Sequence, residues 1–181
     1  MAIKEVIEIT NKIMSKWMGI GGIAPDSVVD KMHNARLDWI IQLTDCLEIW
    51  TDRGGRLSEG ELLLARANIG AIVEGWLKFF YCVYYEDYKN CPKKDRDGNI
   101  IEPNNLSFEQ LKQFSREKLY KVNDEWENWI DSVQRKRNAI HAFNDREIGT
   151  VIEFLNDVNK LKEFIKLIDS HLPYIDDFYL D

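Results

Sequence analysis

The chain has 181 residues, 45% hydrophobic and 30% charged, enough for one core and few for two. Only four prolines and ten glycines interrupt it, which favours long helices over many short strands. A net charge of −7 excludes a general nucleic-acid coat, because an acidic surface repels phosphate at long range, but leaves room for an enzyme with a local basic patch.

The apolar positions Ile3, Val6, Ile7, Ile9, Ile13, Met14 and Trp17 recur at helical spacing and predict a first helix over 2–18. GIGGIAPD, 19–26, ends it, and Asp26 or Ser27 is placed to cap a long helix over 27–52. RGGRLSEGE makes a turn in which Ser58 and Glu61 have capping-box spacing. The third helix, about 59–89, is apolar on most sides and belongs in the middle of a bundle; Gly70 and Gly75 inside it permit close helix contact. Residues 90–106 form the long loop, with turn residues at DGN and PNN. Ser107 and Gln110 open a helix over about 108–119, a further helix runs from about 122 to 143, and NDREIGT separates it from the last helix, about 149–169. Pro173 ends that helix before an acidic aromatic tail, YIDDFYLD, which a docking adaptor would use. The expected fold is all-α, an up-and-down bundle of five to six helices in a single domain.

Cys46, Cys82 and Cys91 lack zinc-site spacing, and the histidines are far apart, so no metal and no cofactor are expected. Cys46 and Cys82 lie in apolar runs and read as core, whereas Cys91 sits in the polar loop. His33 and His171 read as solvated. Most of the aromatic residues read as core or dimer interface, a few as stacking platforms for bases. The N-terminal MAIKEVIEITNK lacks the apolar run of a secretory leader, and Glu74 and Lys78 break the most apolar stretch, so a cytoplasmic chain with no membrane contact is expected.

One segment carries chemistry: RKRNAIH, Arg135 to His141. It gathers three consecutive cations, a carboxamide and an imidazole in an acidic chain. At about 3.6 residues per turn, Arg137 and His141 lie about 40° apart on one helix face, with Asn138 one step round. Arg135 lies about 120° from the histidine and joins it only where the helix bends or ends. Such a face suits RNA cleavage. The ribose 2′-hydroxyl supplies the nucleophile, a histidine moves the proton, and arginine holds the phosphate bidentately. The bland alternative is a basic helix end that complements the dipole and pairs with acids. A second basic stretch, Lys112, Arg116, Lys118 and Lys121, reads as a solvated face or an RNA track.

RKRNAIH resembles the Arg-x4-6-His motif of the HEPN superfamily, often with a polar residue such as Asn after the arginine. Arg135 obeys the spacing but is followed by Lys136; Arg137 is followed by Asn138 but stands only three residues short of His141. Either arginine fits in part. The resemblance implies an all-helical homodimer, metal-independent endoribonuclease activity leaving a 2′,3′-cyclic phosphate, and a composite site of His141, Arg135, Arg137 and Asn138 from two chains. It also implies a setting in toxin–antitoxin or phage defence, with RNA as substrate and a protein antitoxin or effector as partner. Many HEPN domains are instead non-catalytic modules that hold RNA, a nucleotide or a protein. An acidic residue on an earlier helix can pair with the motif arginine, and Glu74 is the candidate, with Lys78 four residues on as its other partner. Arg66 and Asn68 are ambiguous.

Overall fold

Every regular element is a helix in the computed structural model, which describes residues 2–141 and 145–173. Nine α-helical segments occur among the described residues: α1 (Ala2–Met18), α2 (Asp26–Asn34), α3 (Leu37–Asp45), α4 (Leu47–Arg53), α5 (Glu59–Val83), α6 (Tyr85–Asn90), α7 (Phe108–Ser115), α8 (Glu125–Arg137) and α9 (Val151–His171). Short 3-10 turns at Gly54–Arg56, Pro103–Asn105 and Asn138–Ile140 join or extend them.

The helix count exceeds the sequence expectation because two long helices are cut. The stretch expected as one helix over 27–52 breaks at Ala35, which is extended (φ −80°, ψ 144°), and again at Cys46. A straight rod would carry its apolar stripe past the core. The breaks turn the pieces so that Val28 and Met32, Leu37, and Leu47 all reach it. Neither Asp26 nor Ser27 caps this run; Pro25 occupies the N-cap, and Asp26 lies in the first turn, where its charge suits the dipole. The third helix likewise bends at Tyr84, so α6 is a separate turn. α7 stops at Ser115 rather than 119, because Arg116 turns extended and Glu117 takes a positive φ of 61°. Both anticipated capping boxes form, at Ser58–Glu61 and Ser107–Gln110, and a third joins Thr150 to Glu153.

α5 is the axle. Ile69, Ile72, Val73, Trp76, Leu77 and Phe79 are buried around it, and it packs most extensively on α8 while also touching α2, α3, α4, α7 and α9. α1 closes the other side through α3 and α9. Rings fill this core, edge to face for Trp76 against Phe79 and Phe79 against Trp17, and tilted for Trp129 beside Phe164. Gly75 receives Ile40 of α3, and Gly70 receives Arg137 of α8, so both mid-helix glycines serve close approach. Cys46, expected in the core, is exposed like Cys91, because the break after α3 puts it on the outside of a bend; Cys82 is buried. Among the described residues no helix is long and apolar enough to cross a membrane. The acidic aromatic tail from residue 174, which the adaptor alternative would use, lies outside the described residues, as does the end of the helix expected to reach residue 143.

Candidate functional site

α8 starts at Asp124, whose carboxylate accepts hydrogen bonds from the backbone N–H groups of Trp126 (2.8 Å) and Glu127 (2.9 Å). Trp129, Ile130 and Val133 bury its apolar face, which leaves Arg135, Lys136 and Arg137 in the last turn, where cations complement the helix dipole. The chain then tightens into the Asn138–Ile140 turn, pinned by buried Ala139, and His141 ends it with φ −78° and ψ 51°. The helix thus ends just before the histidine, and the angles of a straight α-helix do not carry through to His141.

The three cations point to three different surroundings. Arg137 lies back on α5: its aliphatic stem covers Gly70, and its guanidinium donates to Glu74 Oε2 at 2.9 Å and to Asn138 Oδ1 at 3.2 Å. The second oxygen of Glu74 takes Lys78 Nζ at 2.9 Å, so both partners weighed for this carboxylate are present. Lys136 is largely covered and reaches Asp157 at 3.5 Å. Arg135 stands in solvent, its side chain 73% exposed, with Asp131 at 3.4 Å. Asp131 bonds more closely to Lys112, at 2.7 Å, which leaves Arg135 weakly compensated.

His141 is exposed. Its backbone N–H reaches the Asn138 carbonyl at 3.3 Å, while its side chain makes no hydrogen bond or ion pair with any described residue. His33 and His171 are exposed too, His171 with Nδ1 at 2.8 Å from the Leu167 carbonyl.

Beside Arg135 opens a polar cleft of about 520 Å³, walled by Ser132, Arg135 and Lys136 on α8, by Asn138 at the start of the turn that follows, and by Arg146 and Glu147 on the segment leading to α9. Arg146 donates to the Asn138 carbonyl at 3.2 Å. Asn138 therefore joins two arginines, Arg137 through its side chain and Arg146 through its backbone. Glu153 closes the cleft; hydrogen bonds from the Thr150 backbone and hydroxyl hold its carboxyl below the usual range.

The cleft wall rests on a buried polar network that the sequence reading left open. Arg66, 1% exposed, donates to the carbonyls of Ile148 (2.9 Å) and Thr150 (3.2 Å) and pairs with Asp157. Trp129 Nε1 donates to the other oxygen of Asp157 at 2.9 Å. Gly149, at φ +69°, has no room for a Cβ, which would lie 2.6 Å from Glu153 and 3.1 Å from Arg66. A signal was available: Asp157 interrupts the apolar ladder Phe154, Val158, Leu161 and Ile165, and a carboxylate on such a stripe needs a buried cation. Asn68 is buried, and its amide has no hydrogen-bond partner among the described residues.

The second basic stretch is partly engaged with neighbouring side chains. Lys112 is buried between Asp131 and Glu109, Arg116 pairs with Glu127, and Lys118 lies 4.3 Å over the Phe114 ring. Arg116, Lys118 and Lys121 are exposed, as a solvated face requires, and only Lys112 is buried. Among the described residues no group of three or more His, Cys, Asp or Glu side chains is placed to hold a metal ion. Comparison of the chain with protein-family models, curated proteins and solved structures gave no match.

Proposed function

We propose that the protein is an endoribonuclease of the HEPN type, acting as a homodimer whose paired Arg/His segments form one composite site, in a toxin–antitoxin or phage-defence setting. The observation that supports it best is the Glu74–Arg137–Asn138 chain beside an exposed His141. A carboxylate on an earlier helix orients the arginine, and the histidine imidazole is left open to a substrate. This favours Arg137 as the phosphate-binding arginine of the motif over the freely exposed Arg135. Ile140, exposed beside the histidine, offers apolar surface to a second copy.

In this reading His141 of one chain takes the proton of a ribose 2′-hydroxyl. The 2′-oxygen attacks the adjacent phosphorus, and the bond from phosphorus to the 5′-oxygen breaks. The imidazolium of the second chain gives its proton to the leaving 5′-oxygen, and a 2′,3′-cyclic phosphate remains. Arg137 stabilises the charge that grows on the phosphoryl oxygens. Metal independence follows from the resemblance and is part of the proposal.

The test is cleavage of labelled single-stranded RNA by purified protein with and without chelator. His141→Ala should lower the rate by about 100-fold or more with unchanged circular dichroism, and chelator should leave the wild type active. Cleavage surviving in both His141→Ala and the double variant Arg135→Ala/Arg137→Ala would overturn the reading. A specific observation favours the second reading, a non-catalytic module: the Arg137 guanidinium is engaged on both sides, by Glu74 and by Asn138. Failure to degrade total RNA or to arrest growth on expression selects that alternative.

A further inference from the structure

We infer that the cleft between α8 and the segment before α9 binds one phosphodiester of single-stranded RNA, flanking the bond that is cut, with Arg135 and Arg146 as its two ligands. The inference rests on the ribonuclease reading for the identity of the strand, and on the cleft itself for everything else.

The starting point is which cations remain uncompensated. Arg137 faces Glu74, Lys136 faces Asp157, and Lys112 takes the near oxygen of Asp131. Arg135 is left with a 3.4 Å contact to an aspartate already engaged. Arg146 bonds a neutral carbonyl, that of Asn138, and forms no ion pair with a described residue. Two guanidinium groups, Arg146 oriented by a neutral carbonyl and Arg135 standing in solvent, line one cleft and suit an anion with several oxygens.

The acids set the number of charges. Glu147 and Glu153 also line the cleft, with Glu153 turned to the Thr150 N–H at 2.6 Å. With Lys136, which also faces Asp157, the lining holds three cations against these two acids, a balance that suits one phosphate and disfavours a polyphosphate. Its volume, about 520 Å³, admits a nucleotide. Asn138 bonds both Arg137 and Arg146, so the cleft adjoins the place proposed for the scissile phosphate.

The test is binding of a fluorescent single-stranded oligonucleotide made wholly of 2′-O-methyl nucleotides, which removes the attacking hydroxyl, measured by anisotropy across a salt series. Arg135→Glu/Arg146→Glu should weaken binding by about tenfold or more and lower the salt slope by about one or two units. Lys4→Glu/Arg96→Glu, the same charge change at exposed positions outside the cleft, should leave both nearly unchanged. Arg146→Lys should keep part of the affinity. Wild-type affinity in the double cleft variant, an equal loss in the Lys4/Arg96 control, or no binding by the wild type each overturns the site. The ribonuclease reading fails separately: cleft-dependent binding without cleavage of ordinary RNA leaves the phosphate site standing and removes the catalysis.

Discussion

Arg137 occupies the space that a side chain at residue 70 would need: a Cβ on Gly70 would lie 2.4 Å from both Cβ and Cγ of Arg137. The glycine is thus a seat for the arginine. Gly70→Ala must lift Arg137 away from Glu74, and the overpacking cost of about 1–3 kcal/mol outweighs the gain of about 1 kcal/mol in helix propensity. The expected result is lower stability in urea titration and a cleavage rate down by about tenfold or more. Gly75→Ala meets Cγ1 and Cδ1 of Ile40 at 3.2 Å, a contact that a small shift of the partly buried isoleucine relieves, and should perturb both assays far less than Gly70→Ala. Glu74→Gln should lower cleavage while costing less than about 1 kcal/mol, because Arg137 and Lys78 are each about a third exposed. Full activity in Gly70→Ala would show that the seat has no bearing on catalysis.

The buried pair Arg66–Asp157 should dominate the stability map. Asp157→Ala leaves a covered guanidinium and a Trp129 N–H without their carboxylate, and about 3–5 kcal/mol should be lost. Removing both charges with Arg66→Met/Asp157→Leu should recover a large part of that loss, read as the midpoint of chemical denaturation. A double variant no better than Asp157→Ala would show that the carbonyls of Ile148 and Thr150, rather than the charge, need the arginine.

Caps give smaller and pH-dependent effects. Thr150→Ala and Ser58→Ala should each cost about 1 kcal/mol. Glu153 and Glu61 are both held below their usual 4.5, first by the backbone N–H of the capping residue. Their stabilisation is complete above that value and is lost as pH falls through the lower folded-state value. Melting temperature should therefore drop below about pH 4.5, and less steeply in the two cap variants.

The three cysteines should separate cleanly. Cys46 and Cys91 are exposed, whereas burial raises the Cys82 thiol from 9.0 to about 11. Titration with an aromatic disulfide reagent at pH 8 should modify two thiols in the native protein and the third only after denaturation. Because the unfolded thiol ionises first, this group stabilises the fold fully below pH 9 and loses that contribution as pH rises toward 11. Burial of Tyr81 and Tyr120 acts in the same direction.

Local signals were readable where local chemistry decides. The Ser58 and Ser107 boxes, the ends of α1 and the apolar character of α5 follow from spacing and side-chain type alone. The breaks at Ala35 and Cys46 carry no proline or glycine, since packing against α1 and α5 makes them, and no local rule reports that. Glu74 was legible as a carboxylate on an apolar helix, but its choice of Arg137 over Arg135 depends on Gly70, whose role appears only when α8 lies on α5. Arg146 belongs to a segment that reads as a helix breaker, and its place in the cleft follows from Arg66, eighty-odd residues earlier.

That separation has a consequence for timing. Arg66 meets Ile148, Thr150 and Asp157 at sequence distances of 82, 84 and 91 residues. A nascent chain that has emerged only as far as His141 already carries every motif residue, yet lacks the far wall of the cleft and the anchor that sets it. The cleft is therefore completed only when α9 has been made and has docked against Arg66.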